Sequence, residues 1–330
     1  MTHTTTLQMR AVFGDRYGTA DRLDVRTVPV PELADDRVLI RVHASSVNAY
    51  DHHMTTGTPL MARSMAGIRA PKRPVPGSDV AGVIEAVGAA VEGFEVGDRV
   101  FGGVGFGAWA EFAVANPRGI THIPEGVSFE DAAATPMAGL TALQALRDLA
   151  SVQPGERVIV NGASGGVGTF AVQIARALGA TVTAVCSTGK VDQARSIGAD
   201  RVIDYTAVDF TTEAGEYDVL LDNAGTRGWF ATRRTLVEGG RNVTITGPKH
   251  LVFGPMRNML FRKALSMMDS RTFVSGTART VRADLEALAA MLAEGSIRPV
   301  IERTWPLEDA PRALAALAEG HAAGKHVIVV

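Results

Sequence analysis

Residues 158–168 hold the densest chemistry in this chain: an apolar run, Asn161, and then Gly162, Ala163, Ser164, Gly165, Gly166, Val167 and Gly168. A turn of this kind between a strand and a helix offers an anion free backbone N–H groups and the positive end of the helix dipole. The glycines let the backbone approach a pyrophosphate with no Cβ in the way. Residues 169–179 continue with helical period. A second apolar run, 181–185, ends about 20 residues after the last glycine, as the dinucleotide fingerprint requires. The spacing predicts a dinucleotide site with Ser164, Gly165, Gly166 and Val167 in its cradle; a tight surface turn is the alternative.

The end of that second run reads the adenosine ribose. A carboxylate there bonds the 2′-hydroxyl of NAD, whereas a cation accommodates the 2′-phosphate of NADP. The chain has Ser187 and Lys190 at this point and no acid before Asp192. Tyr205, after a third run at 201–204, is placed to lie over the adenine ribose. These residues predict NADPH; the alternative for Lys190 is a solvated lysine at a helix start. Further along, Asn223 and Gly225 follow a fourth strand, and Thr246 and Gly247 a fifth. The ends of parallel strands line a cofactor crevice, so these four join the cofactor-binding candidates.

The elements that must position these groups alternate. From about residue 127, strands and helices follow one another at 157–161, 167–178, 181–186, 190–197, 201–204, 218–222, 229–237, 241–246 and 272–274. That alternation predicts a doubly wound parallel sheet. Ser128 reads as the N-cap of a helix and 140–150 as a second helix. Residues 1–126 read differently, as short strands at 37–44, 80–87, 98–101 and 108–114 punctuated by glycine and proline, which predicts a partly open barrel. Amphipathic helices are expected at 282–294 and within 307–320. A final strand, 326–330, needs an existing sheet and is expected to return to the first domain.

The chain has 330 residues, 46% hydrophobic and 21% charged, with a formal charge of −2. This fits two globular domains and offers no basic field for nucleic acid. No run reaches the length of a membrane span and no apolar leader opens the chain, so a soluble cytoplasmic enzyme is expected. Cys186 is the single cysteine, which excludes an intrachain disulfide; it reads as a buried strand-end residue. Asp51, His52 and His53 set a carboxylate beside two imidazoles. On an extended segment, neighbouring histidines face opposite sides, so a shared metal ion is not expected.

Together these features resemble the medium-chain dehydrogenase/reductase superfamily, in particular its zinc-free quinone oxidoreductase branch, related to zeta-crystallin. The resemblance rests on Ser46-Val47-Asn48-Ala49-Tyr50-Asp51, Pro76-Gly77-Ser78-Asp79 and the residues to 83, and on 91–100 and 138–142. The glycine loop 162–168, residues 198–205 and the ending 324–328 complete it. It implies a Rossmann domain at 127–275 and a GroES-like, mainly-β barrel catalytic domain formed by 1–126 and 276–330. It also implies a homodimer joined through the edges of the Rossmann sheets.

The resemblance places the active-site loop at Asn48, Tyr50 and Asp51, with Asn48 donating to a substrate oxygen or nicotinamide ribose, Asp51 orienting it or relaying protons, and Tyr50 as an alternative proton donor or a packing ring. It places Thr141, Phe273 and Val274 at the cofactor; Lys325, in the C-terminal turn, reads as a further cofactor contact or as a surface charge. Zinc members hold their catalytic metal through Cys, His and Cys. The matching positions here are Asn48, Ser78 and Met137, a poor ligand set, so no metal is expected.

Without a metal, a saturated ketone lacks strong polarisation, whereas a quinone or enone delocalises the charge that hydride brings. The expected activity is therefore NADPH-dependent reduction of a quinone or an α,β-unsaturated carbonyl, a hydrophobic small molecule. The alternatives are an NADP-dependent alcohol dehydrogenase or ketone reductase, and a cofactor-binding protein with little turnover. The methionine-rich segment 253–268 is a candidate cover for the substrate mouth or a packing helix.

Overall fold

The structure is a computed structural model that describes residues 7–245 and 270–330. Two compact units divide the chain, one of residues 1–137, 280–293 and 301–330, the other of residues 138–279 and 294–300.

In the first unit, β1 (Gln8–Phe13) and β2 (Asp24–Pro29) form an antiparallel pair. The main sheet is seven-stranded and runs β14 (Ile301–Pro306), β15 (Lys325–Val329), β3 (Val38–Val47), β4 (Asp79–Val87), β5 (Arg99–Gly103) and β7 (Ile120–His122), with β6 (Phe112–Ala115) also on β3. The last strand returns to this sheet as its pattern requires, antiparallel to β3.

Strand β3 explains where chemistry collects. Its first half alternates, burying Val38, Ile40 and Val42; its last four residues, Ala44 to Val47, are all buried. The core thus closes over both faces of its C-terminal end. Ser45 and Ser46 are carried inside with it, where the Ser45 hydroxyl bonds Asp79 O at 2.6 Å. Polar groups buried there must find partners. Helix α1 (Ala49–Thr56) begins at once, with Asn48 as its N-cap, and is followed by α2 (Met61–Ala66). His52 and His53 therefore lie on a helix, not on the extended segment expected. His53 Nδ1 is spent on Thr58 O at 2.7 Å, and no metal-holding group of His, Cys, Asp and Glu occurs among the described residues.

Helix α3 (Phe129–Ala134) starts at Ser128, whose hydroxyl accepts from Asp131 N at 3.0 Å as the capping pattern predicts. It packs on β3 and β4, which keeps residues up to Met137 with the first unit, beyond the boundary expected at 126. Helices α8 (Arg282–Ala293) and α9 (Ala310–Ala318) complete this unit.

The second unit holds a six-stranded parallel sheet in the order β10 (Arg201–Asp204), β9 (Thr181–Cys186), β8 (Arg157–Asn161), β11 (Tyr217–Asp222), β12 (Leu236–Thr244) and β13 (Thr272–Ser275). This is the doubly wound order, with its switch point between β8 and β11. Its helices are α4 (Pro136–Gln144), which starts at the end of the first unit and continues into a π-turn over Ala145–Leu149, α5 (Gly166–Ala177), α6 (Val191–Ser196) and the short α7 (Trp229–Thr232).

One sequence expectation fails here. The helix expected over 229–237 ends at Thr232, and β12 already starts at Leu236. Gly239 and Gly240 lie inside that strand at a register shift against β11, and Gly239 takes φ +76°. A glycine pair is a poor strand signal, and the bulge it makes hides the strand's true start. The 294–300 segment belongs with the second unit because Gln173 clamps it, bonding both the N–H and the C=O of Arg298, at 2.8 and 3.0 Å. No helix among the described residues is long and apolar enough to cross a membrane.

Candidate active site

The antiparallel register builds the site of the first unit. Ser46 on β3 lies opposite Asp79 on β4, and Val47 opposite His326 on β15. Continuing each ladder by one residue brings Asn48, Ser78 and Lys325 to one place. Asp79 Oδ2 accepts from Ser46 Oγ at 2.8 Å and from Asn48 Nδ2 at 2.9 Å, while its Oδ1 accepts from Met137 N at 3.2 Å. Lys325 Nζ donates to Asn48 Oδ1 and to Val47 O, and stands 4.0 Å from Asp79 Oδ2. Asp51 Oδ2 accepts from Asn48 N at 2.8 Å and from Ser78 Oγ at 3.3 Å. Asp51, Asp79 and Lys325 are 2%, 1% and 3% exposed, so two carboxyls and one ammonium share an almost dry cluster.

Burial sets the electrostatics. It pushes the Asp51 carboxyl from 3.8 up to about 7, with the Asp79 charge adding to the rise and the Asn48 and Ser78 hydrogen bonds opposing it. Burial also raises Asp79 and lowers Lys325, each opposed by the other's charge. Tyr50 is half-buried and its hydroxyl is pushed up by burial and then by Asp51, so it stays neutral. Its ring packs at 5.9 Å from Phe106, in a cluster with Met54, Ala62 and Ala66. Asp51 also lines a pocket, together with Leu23, Met54, Pro74, Pro76 and Phe106 and with Arg16 and Arg73.

Two expectations change at this point. Asn48 does not offer its side chain to substrate: its amide nitrogen is spent on Asp79 and Ser78 and its oxygen on Lys325. It ties the cluster together instead. Lys325, expected at the cofactor, turns its ammonium inward to the Asn48 side chain and the Val47 carbonyl. Asp79 is a site residue that the sequence reading misses. The available signal is an acid opening the apolar strand 79–84 just after Pro76-Gly77-Ser78.

The positions that match the zinc ligands of the resembled family carry weak donors. Asn48, Ser78 and Met137 do gather around Asp79, but they bring an amide, a hydroxyl and a backbone N–H beside a buried ammonium. That set holds no thiolate and no imidazole, and its carboxyls stand beside a buried cation, so it fits a zinc ion poorly.

The second unit carries the nucleotide cradle. Strand β8 is buried from Val158 to Asn161, and the chain turns at Gly162 with φ +83°. Gly165 caps α5; a Cβ there would meet nothing nearer than Gly162 O, at 3.8 Å. A Cβ on Gly168 would lie 2.1 Å from Gly162 O, so only glycine lets the helix close on the turn. The first N–H groups of α5 have no acceptor inside the helix. Beside them, Asn161 Nδ2 and Gly225 N both donate to Asp222 Oδ1 at 2.9 Å, and Asn223 N donates to Asn161 O at 3.0 Å. Asp222 Oδ2 is buried with no protein partner among the described residues. An open cap, free amides and an orphaned polar atom at the switch point fit a dinucleotide.

Strands β9 and β10 end in register, Cys186 against Asp204, which sets Ser187 and Tyr205 side by side; Lys190 closes the turn Thr188–Lys190. Tyr205 is 52% exposed, free to cover a ligand. Asp204 is the one carboxylate on these strand ends. It is held below its ordinary range by hydrogen bonds from Thr188 and Thr206. Cys186 is buried, with its thiol pushed up, as expected of a strand-end packing residue. Ser164 O accepts from Gln193 at 3.5 Å. Thr141 is half-buried on α4, and Phe273 and Val274 lie within β13, with Phe273 edge-on to Trp229. Thr246, Gly247 and the segment 253–268 lie outside the described residues.

Two family models match: the alcohol dehydrogenase GroES-like domain over residues 34–125 and the zinc-binding dehydrogenase domain over 197–328. The chain is 34% identical to the mitochondrial NAD(P)H oxidoreductase RTN4IP1 of Mus musculus, over 96% of this chain and 88% of that one. It is 32% identical to a 2-methylene-furan-3-one reductase of Solanum lycopersicum, over 97% of this chain and 79% of that one. The solved quinone oxidoreductase of Coxiella burnetii superposes with a TM-score of 0.87 at 29% identity, covering 98% of this chain and all of the other.

Proposed function

We propose a function from one premise: the chain belongs to the medium-chain dehydrogenase/reductase superfamily, in its quinone oxidoreductase branch. It is an oxidoreductase that uses a nicotinamide cofactor and acts on a small molecule. Our reading is that the cofactor is NADPH, the substrate a quinone or an α,β-unsaturated carbonyl, and the reaction free of metal. The observation that carries it is the cluster of Asn48, Asp51, Asp79 and Lys325, a fixed cation and a raised carboxyl where zinc members keep their metal ligands.

When bound, the reduced nicotinamide supplies hydride. The protein's own work is division of labour. The amides of the glycine turn hold the pyrophosphate, with Asn223 and Gly225 beside it. Ser187, Lys190 and Tyr205 read the phosphorylated ribose, with Lys190 meeting its charge. Thr141, Phe273 and Val274 are assigned to the nicotinamide end. In the first unit, Asp51 lines a pocket with apolar walls, the side on which a hydrophobic carbonyl compound would meet it. A conjugated acceptor needs no Lewis acid, because its added charge spreads to an oxygen that a nearby acid can protonate.

NADPH oxidation measured in parallel against a quinone, an enone and a saturated ketone tests the reading. Turnover of the first two, a lower KM for NADPH than NADH, and well under one zinc per chain are expected; turnover of the ketone alone, or stoichiometric zinc, would sink it. We also read the chain as a cytoplasmic homodimer. Strand β13 ends its sheet with one edge open among the described residues, which supports edge-to-edge pairing. Sedimentation and cell fractionation test these two points.

A further inference from the structure

We propose that Asp51 is the proton store of this reductase, and that Asp79 and Lys325 are positioning residues that hold that proton on it. The inference rests on the reductase reading and deepens it by assigning the second half of the reaction. Two carboxyls and one ammonium are shut in the same cluster, each at most 3% exposed. A buried site with one cation carries one carboxylate comfortably; the second carboxyl must take a proton.

The hydrogen bonds decide which carboxyl that is. Asp79 accepts three, from Ser46 Oγ, Asn48 Nδ2 and Met137 N, and has the Lys325 ammonium at 4.0 Å. Donors on both oxygens and a nearby cation all favour its ionised form. Asp51 accepts only on Oδ2, from Asn48 N and Ser78 Oγ. Its Oδ1 has no hydrogen-bond partner among the described residues, and Asp51 is the member of the cluster that lines the pocket. The proton therefore sits on Asp51, the carboxyl that borders the pocket. The groups facing Asp51 are Asp79 from β4, Lys325 from β15, the Tyr50 hydroxyl on its own helix, and Arg16 and Arg73 on the pocket lining. Tyr50 stays neutral through this range and does not compete. The raised Asp51 carboxyl agrees with this placement.

The step balances simply. A conjugated carbonyl that has received hydride carries one negative charge. The Asp51 O–H bond breaks and an O–H bond forms on a quinone oxygen, or a C–H bond on an enone carbon. Asp51 is left as a carboxylate and regains a proton from solvent through the pocket. No electron passes through Asp51.

Infrared titration of the ligand-free full-length protein across neutral pH tests this without turnover. A protonated-carboxyl band is expected in the wild type, lost with a midpoint of about 7, and missing in Asp51→Asn. Asp79→Asn removes the like charge and should lower the midpoint by more than about one pH unit, while Lys325→Gln removes the counter-ion and should raise it by a similar amount. Thermal unfolding checks that each variant folds, and the wild type against Asp51→Asn decides the site of the proton if either positioning variant does not. The pH at which kcat falls should move with the same midpoints. A wild type without the band, a band that survives Asp51→Asn, or midpoints that stay put or move the same way in both positioning variants would overturn the proposal. A titrating band with no turnover of any conjugated carbonyl would overturn the reductase reading on which it rests.

Discussion

The glycine turn at 162–168 and the cluster of Asp51, Asp79 and Lys325 are both polar centres set into apolar packing, yet they are made of different material. The turn is built from backbone. Its function depends on side chains that are missing, so all of it sits in one short stretch of sequence. The cluster is built from side chains gathered by three strands and the start of a helix, and its two closest ionic partners, Asp79 and Lys325, come from strands far apart in the chain. A backbone centre fails when something is added; a side-chain centre fails when a charge is removed.

The largest effect should come from adding to the backbone centre. Gly168→Val puts a Cβ 2.1 Å from Gly162 O and 2.8 Å from the Ala163 backbone, where no flexible side chain can move aside. We expect a loss of about 3 kcal/mol or more of stability and no measurable cofactor binding, read by chemical denaturation and fluorescence titration. Gly165→Ala, whose Cβ would make only an ordinary contact at 3.8 Å, should fold normally; an equal loss of stability from both would rule out sterics as the cause.

Removing the acid from the side-chain centre comes next. Asp51→Asn should lower kcat by about 10² to 10⁴, the usual worth of a positioned acid, with cofactor affinity nearly unchanged. A fall in cofactor affinity to match would mean that the two centres are not separable.

The third effect is a pH dependence that only the side-chain centre has. The Asp51 carboxyl rises from 3.8 to about 7 on folding, so between those values the folded chain holds a proton that the unfolded chain has released. Its contribution to stability is fully present below the lower value and is lost as pH rises through the upper one. The loss is at most about 4 kcal/mol, since each pH unit of that window is worth about 1.4 kcal/mol. The stability difference between the wild type and Asp51→Asn, measured by denaturation from acid to neutral pH, should trace that window; a flat difference would contradict the raised carboxyl. The smallest effect concerns ribose selection. Lys190→Ala should cost roughly tenfold in preference for NADPH over NADH, about 1.4 kcal/mol, with little change in kcat.

The same contrast explains what is legible in the sequence. The cradle can be read because turn, strand and helix are contiguous and glycine's role is local. The parallel order and the return of β15 follow from alternation and from a lone terminal strand. The link of Asp79 to Lys325 cannot be read, because it depends on two ladder registers between distant strands. Helix α1 also escapes. It is eight residues long and starts on a cap rather than on an apolar period, so His52 and His53 look extended. Asn48 and Asp51 do gather in one cluster with Ser78, but no sequence pattern says that the Asn48 side chain is already fully engaged.

The separation of the two centres is tested most directly by pairing binding with turnover in one variant. Asn48→Ala combined with Asp51→Ala strips the side-chain centre and leaves the backbone centre untouched. NADPH binding should stay within about twofold of the wild type while quinone turnover falls at least about 10²-fold. Turnover that survives the double substitution, or a wild type that binds NADPH yet reduces no quinone or enone, would refute the assignment of chemistry to the side-chain centre.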